Sequence, residues 1–212
     1  MKKIFTVLFI LLFVFATSLA HATDLNVKSG SMNFLMGAPL EDIKGKTDAF
    51  SGKVTVDEKD LKSIKGEVDI DITKIVIYTF DDAEKNKTQN EHMLNWFEVG
   101  SDVDAATKDK FKTARLQING AKSVEKKSDE SLLQLDGSLT LHGITKIIPM
   151  ELTVIQQNGI YQVKTAKPFS VGLVEHDIKP RDIAGKILQK TLEALGEKVA
   201  KYAQVSVDVQ FE

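Results

Sequence analysis

Apolar and polar residues alternate with a period of two along most of the chain, which is typical of strands that bury one face. In the segment 64–72, for example, lysine or an acidic residue fills every second position and marks an outer face. The pattern predicts about nine strands. Their apolar positions are Met32, Phe34 and Met36; Phe50, Val54 and Val56; Ile64, Val68, Ile70 and Ile72; Ala114, Leu116 and Ile118; Leu133, Leu135, Leu139 and Leu141; Ile148, Met150, Leu152 and Val154; Tyr161 and Val163; Phe169, Val171 and Leu173; and Val205, Val207, Val209 and Phe211.

Residues that favour turns separate these strands or lie where a strand must bend. They are Gly52 and the pairs Asn119-Gly120, Asp136-Gly137, His142-Gly143 and Asn158-Gly159. Glycine and asparagine adopt the backbone angles that tight turns and bulges require. The sequence therefore predicts antiparallel hairpins.

Two segments break the alternation and are predicted to be helical. The segment 81–97 is polar at first and ends in an apolar cluster. The segment 182–202 places leucine, isoleucine, valine and tyrosine at helical spacing, so it forms an amphipathic helix. That helix packs on the side or mouth of the sheet; binding to a membrane surface is the alternative.

The predicted fold class is all-β, with one or two helices. Strands with one apolar face close into a barrel or stack as a sandwich, and periodicity does not separate the two. Predicted strand lengths of about seven to nine residues favour the barrel, since sandwich strands are often shorter. Closure also removes exposed sheet edges.

The segment 1–22 has the features of a secretory signal peptide. A basic pair, Lys2 and Lys3, precedes an apolar run that ends before Ala20-His21-Ala22, a small-residue cleavage site. The alternative is a membrane anchor, but the run is shorter than the ~20 apolar residues that span a bilayer. We expect cleavage near Ala22, export to the periplasm, and no stable membrane insertion of the mature chain.

Removing 22 of 212 residues leaves 190, which suits a single domain over 23–212. Loss of Lys2 and Lys3 leaves 26 basic residues against 30 acidic ones, with no basic stripe, so nucleic acid is not an expected partner. The chain has no cysteine, which excludes thiolate chemistry and disulfides.

Four segments resemble the YceI family in order and spacing. They are 50–56, the acidic strand 64–72, the stretch 92–99 (His-Met-Leu-Asn-Trp-Phe-Glu-Val), and above all 137–146 (Gly-Ser-Leu-Thr-Leu-His-Gly-Ile-Thr-Lys). In that family a long acidic strand precedes a loop with an aromatic pair and then a G-x-L-T-hydrophobic-x-G-V-T-K hairpin. The resemblance extends over 24–173. It departs from the family at Trp96-Phe97, where a double phenylalanine is usual, and after Ile178, where the chain is enlarged.

The resemblance implies an extended lipocalin-like fold, an eight-stranded antiparallel barrel. Its interior would hold a long apolar chain such as a polyisoprenoid, an isoprenoid quinone, or a fatty acid or amide; no other cofactor is expected. The resemblance also implies a homodimer. The enlarged segment after Ile178 leaves that end of the barrel undefined.

The inward-facing residues are the candidate ligand contacts, although each could equally pack a dry core. No charged residue occupies an inferred inward position. Four large apolar residues in the segment 81–97 must cover either the barrel mouth or a dimer partner, and we favour the mouth. The candidates are Phe34, Met36, Phe50, Val54, Val68, Ile70, Ile72, Met93, Leu94, Trp96, Phe97, Leu116, Ile118, Leu135, Leu139, Leu141, Met150 and Leu152.

The sequence contains no recognisable catalytic or metal-binding motif. His92, His142 and His176 lack the paired spacing common in metal sites and are predicted to lie on the surface. Ser138 and Thr140 are not part of a nucleophile elbow. We therefore expect a periplasmic carrier rather than an enzyme. The alternatives are an envelope interaction protein with a filled core and an enzyme that acts on lipids.

Overall fold

A computed structural model describes residues 22–37, 41–179, 190 and 201–212. Within them the chain forms a 12-stranded antiparallel sheet and two α-helices. The strands are β1 (Ala22–Met36), β2 (Ile43–Thr47), β3 (Phe50–Asp57), β4 (Asp60–Asp71), β5 (Val76–Ile77), β6 (Thr113–Asn119), β7 (Ser123–Lys127), β8 (Glu130–Leu141), β9 (Ile144–Gln157), β10 (Ile160–Thr165), β11 (Phe169–Gly172) and β12 (Tyr202–Phe211). The helices are α1 (Ala83–Trp96) and α2 (Ala105–Phe111), with short 3-10 helices at Ile72–Lys74 and Val174–His176.

Eight of the strands close into a barrel. The ring runs β1, β12, β10, β9, β8, β6, β4, β3 and back to β1. The last strand closes it on the first, with Phe34 opposite Val205. The predicted eight-stranded antiparallel barrel is confirmed, and the sandwich alternative is excluded, because each strand of the ring has a partner on both sides.

Four further strands pair with the ring, and three of them widen one end of the barrel. The first half of β1 pairs with β3, whereas its second half, Met32 to Met36, pairs with β2, which in turn pairs with β5. On the other side, β11 pairs with the first part of β12. The strand β7 pairs with the first part of β8, at the opposite end of the barrel. The barrel is therefore wider where β2, β5 and β11 lie than at the opposite end.

The narrow end is filled with side chains. It lies where β3 turns into β4 and β9 turns into β10. Close strand contact there depends on glycine: a Cβ at Gly52 or Gly66 would lie 2.2 Å from a carbonyl oxygen of the neighbouring strand, and both residues have positive φ. The buried side chains packed in this end are Leu25, Val54, Val56, Leu133, Leu135, Val154 and Tyr161.

The wide end carries α1. The Asp82 side chain caps the helix by accepting hydrogen bonds from the amides of Glu84 and Lys85. This confirms the helix predicted over 81–97. The helix α2 was not predicted, and Asp104 caps it in the same way.

The predicted signal peptide, apart from Ala22, lies outside the described residues. So does the predicted helix over 182–202, apart from residue 190 and the last two positions. Of those two, Tyr202 was wrongly assigned to the helix, because it begins β12 and pairs with Gly172. Among the helices that the structure describes, none is long and apolar enough to cross a bilayer.

Candidate ligand-binding site

A large cavity lies between α1 and the barrel strands. The centre of a water molecule could move through about 200 Å³ of it. A single buried water needs only ~10–15 Å³ of such space, and close-packed interiors contain few larger voids. The cavity is therefore a feature of the architecture and not a packing defect.

The cavity is long. Along β12, every second residue from Ala203 to Phe211 lines it. Eight steps at ~3.4 Å per residue correspond to about 27 Å along the strand. A strand in a barrel is tilted by ~35–45° from the barrel axis, so the cavity extends about 20 Å along that axis. Its shape suits a slender chain.

Glycines on the inner surface make room for the large side chains around the cavity. A Cβ on Gly45 would lie 2.3 Å from the Phe34 ring. A Cβ on Gly137 would lie 2.4 Å from Leu116 Cδ1 and 2.6 Å from Met150 Cε. Any larger residue would push these side chains into the open space, so the absence of a side chain at both positions keeps the cavity open.

The helix α1 covers the wide end of the cavity with Met93 and Trp96, followed by Phe97 at its C-terminus. Two asparagines attach the helix to the part of the chain that precedes it. The Asn90 side-chain oxygen accepts a hydrogen bond from the amide of Ile77 at 3.0 Å. The Asn86 side chain pairs with both the amide and the carbonyl of Phe80. The helix thus has the position of a lid.

The structure brings most of the candidate contacts together around this cavity. Three do not line it. Val54 and Leu135 pack in the filled end, and Leu94 packs among the side chains beneath α1. The others lie on the cavity wall: Phe34, Met36, Phe50, Val68, Ile70, Ile72, Met93, Trp96, Phe97, Leu116, Ile118, Leu139, Leu141, Met150 and Leu152.

Other wall residues were not among the candidates. On β12 and on β9 to β11, the alternation in the sequence could have identified them, since their inward positions have the same period. Ile43, Ile75 and Ile77 come from short segments without alternation and carry no such signal. Gln89 and His92 on α1 are the polar side chains among the described wall residues; their spacing of three residues on a helix was the available signal.

Two histidines are buried, which corrects the prediction that they lie on the surface. His142 is 5% exposed; its Nε2 lies 2.8 Å from a Glu98 carboxylate oxygen, and its ring stacks on Phe111 at 4.0 Å. His176 is 0% exposed and donates from Nδ1 to the carbonyl of Gly172. Both turns fold back onto the wide end, so their side chains are covered. Within the described residues, no three His, Asp or Glu side chains are placed to hold a metal ion.

The comparisons with known proteins agree on one family. The model of the YceI-like domain matches residues 24–211. A protein of Vibrio campbellii named UPF0312 is 31% identical over 139 residues, which is 66% of this chain and 60% of that protein. The match thus spans less than two thirds of that relative.

Two solved structures share the fold. One is a polyisoprenoid binding domain from Saccharophagus degradans implicated in plant cell wall breakdown, with a TM-score of 0.59, 15% identity, and coverage of 89% of this chain and 97% of that one. The other is BcnA from Burkholderia cenocepacia, with a TM-score of 0.56, 13% identity, and coverage of 85% and 95%. At these identities the likeness shows the fold. The match of the YceI-like domain over residues 24–211 shows that this chain belongs to the YceI-like family.

Proposed function

We propose that this protein binds a long apolar chain inside its barrel. The ligand would be a polyisoprenoid, an isoprenoid quinone, or a fatty acid or amide. One observation carries the proposal: the cavity is long and its described wall is apolar except for Gln89 and His92. The similarity to a polyisoprenoid binding domain from Saccharophagus degradans supports it.

The energetics favour long ligands. Burial of each methylene contributes ~0.8 kcal/mol, so ten of them contribute ~8 kcal/mol gross. Association costs roughly 4–15 kcal/mol, because the two molecules lose translational and rotational freedom. A short chain therefore binds weakly, and a chain that fills the cavity binds usefully.

We further propose that the protein is a carrier in the periplasm and that it forms a homodimer. The proposed export rests on the basic pair, the apolar run and the Ala20-His21-Ala22 site of the sequence. The proposed dimer rests on the resemblance to the family. A chain that is insoluble in water must be shielded from water between two membranes, and a barrel that encloses the chain shields it.

Binding is favoured over the two alternatives. An interaction protein with a filled core would not need a cavity of about 200 Å³. An enzyme would place several polar or ionisable groups around the reacting atoms, whereas the polar side chains of the described wall are confined to Gln89 and His92.

A chain-length series tests the proposal. Trp96 is the single tryptophan and lies on the cavity wall, so its fluorescence reports occupancy. The mature protein is titrated with geraniol, farnesol and geranylgeraniol. Each added isoprene unit contributes ~4 kcal/mol gross, and after losses we expect the affinity to rise at least about tenfold per unit. An affinity that does not depend on chain length, or no response to any of the alcohols, would contradict binding inside the barrel.

A further inference from the structure

The cavity ends at one level near the narrow end of the barrel. On β12, Phe211 is the last residue that lines it. The cross-strand neighbours of Phe211 are Val27 on β1 and Tyr161 on β10, and neither of these two lines the cavity. On β9, the change falls between Leu152, which lines the cavity, and Val154, which does not. Because the wall stops at the same level on neighbouring strands, the cavity has a floor.

The layer below this floor is closely packed. It includes Val54, Leu133 and Tyr161, each of which is at most 3% exposed. The strands β3 and β4 lie close together here, since a side chain on Gly52 or Gly66 would meet the backbone of the other strand. A close-packed interior has little room to adjust to extra atoms. A chain that reaches the floor therefore stops there.

The Phe211 side chain belongs to both regions. It is 5% exposed and packs in the cluster of the filled end, yet it also lines the cavity. If its ring were removed, the space left behind would join the cavity instead of forming a separate void. A phenyl ring and an isoprene unit contain similar numbers of carbon atoms. The ring of Phe211 thus takes the place of about one further unit of a ligand.

The distance from the floor to the wide end limits the length of an extended chain. The wall from Ala203 to Phe211 covers about 20 Å along the barrel axis. An extended chain advances ~1.2 Å per covalent bond, so the chain bonds of one isoprene unit span ~5 Å. One extended chain of about four units therefore fills the cavity, and any further unit remains outside it.

We propose that Phe211 and the packed layer below it form a length stop, so that the barrel accepts an extended chain of about four isoprene units. The chain enters from the wide end, because the narrow end is filled. This inference rests on the proposed binding function and adds to it a limit on chain length. Units beyond the limit stay in water and lose the burial that they have in a membrane.

The test measures competition among chain lengths. Phosphatidylcholine vesicles carry equal amounts of farnesol, geranylgeraniol, geranylfarnesol and hexaprenol, which have from three to six isoprene units. The mature protein is incubated with the vesicles and separated from them, and its bound prenols are extracted and quantified by mass spectrometry. Isoprene units that fit the cavity are buried both in the vesicle and in the protein. Lengths up to the limit should therefore bind about equally, and longer ones should bind less.

Two variants move the floor in opposite directions. Phe211→Ala lowers the floor. Val163→Phe raises it, because Val163 lines the cavity beside Val209, one layer above the floor. Phe169→Ala is the matched control, since it removes the same ring from the wall beside Val205, on the part of β12 that is far from the floor. Circular dichroism establishes that each variant is folded.

For the wild type we expect similar uptake of the three- and four-unit prenols and at least about tenfold less of the five-unit prenol. This break should move up by one unit in Phe211→Ala, move down by one unit in Val163→Phe, and stay in place in Phe169→Ala. If Phe211→Ala does not fold, Val163→Phe decides the outcome. Uptake without a break, or a break that neither floor variant moves, would overturn the length stop and leave the barrel function intact. A wild type that takes up none of the prenols would overturn both.

Discussion

The Tyr161 hydroxyl lies in the filled end of the barrel. Burial raises the pKa of Tyr161 above its ordinary value of 10.0, and the neighbouring Glu58 carboxylate raises this pKa further. Because the folded state holds the proton more strongly, Tyr161 contributes its stability fully below pH 10. That contribution is lost as the pH rises above 10 through the folded pKa.

We expect the free energy of unfolding of the wild type to fall more steeply above pH 10 than that of Tyr161→Phe. Urea unfolding of both proteins between pH 8 and about pH 11 measures the difference. The phenylalanine variant keeps every other titrating group, so their effects cancel. Parallel curves for the two proteins would show that Tyr161 does not titrate differently in the folded state.

Residue by residue, the alternation predicted which side chains face inward, but not which of them line the cavity. Val54 and Leu135 have the same inward phase as Phe50 and Leu139. Only its position along the barrel axis determines whether such a side chain packs in the filled end or lines the cavity. That position depends on how the strands pair. Gln89 and His92 were missed as wall residues because the predicted lid was judged by its large apolar residues alone.

At the scale of elements, the attachment of α1 should control how fast the ligand leaves. Asn90→Ala removes the acceptor for the half-buried amide of Ile77. Leaving a buried donor without its partner costs about 1–3 kcal/mol, and α1 separates from β5 more often. We expect geranylgeraniol to dissociate about tenfold faster, as measured by stopped-flow fluorescence of Trp96. Lys87→Ala, at an exposed position of the same helix, is the control. Equal rates for the two variants would argue against a lid.

A second contact between elements joins the turn of β8 and β9 to the segment after α1. His142 and Glu98 both have positive φ, and their side chains meet at 2.8 Å while Phe111 stacks on the imidazole. Removing the ring in His142→Ala leaves a buried gap and breaks a charge-assisted hydrogen bond. We expect a loss of about 2–4 kcal/mol in the free energy of unfolding.

Urea unfolding of His142→Ala beside the wild type measures this loss, and His92→Ala, on the cavity wall, provides the comparison. We expect the His92 variant to lose much less stability, since its ring is only half-buried. If both variants lose the same amount, the pairing of His142 with Glu98 is not what holds the turn.

Long strands and helices were easier to predict from the sequence than short ones. The long strands were found because their alternation extends over many residues, and α1 was found because its segment breaks that alternation. The strands β2, β5 and β7 are short and contain few apolar residues, so they carry no period to detect. The helix α2 has seven residues and no apolar stripe. The short strands form because they pair with neighbouring strands.

For the whole molecule, closure decides whether there is a cavity at all. The pairing of β1 with β12 joins the two ends of the described chain. No local pattern in the sequence predicts such a long-range contact. The residues alone left barrel and sandwich open; the resemblance to the family selected the barrel. Once the ring is closed, glycines such as Gly45 and Gly137 keep the interior open.

The central claim is that the barrel holds a long apolar ligand, and the material that copurifies with the protein tests it most directly. The mature wild-type protein and two variants are purified from the protein's own host. Ala114→Phe places a phenyl ring in the cavity, since Ala114 lies on its wall. Gln117→Phe adds the same ring on the exposed face of the same strand. Native mass spectrometry, followed by solvent extraction, measures bound lipid in each.

We predict a near-stoichiometric long-chain lipid on the wild type and on Gln117→Phe, and a large loss on a folded Ala114→Phe. Circular dichroism establishes that the variant is folded before the comparison is made. The repeated absence of any lipid from the wild type, or equal lipid on both variants, would contradict the claim.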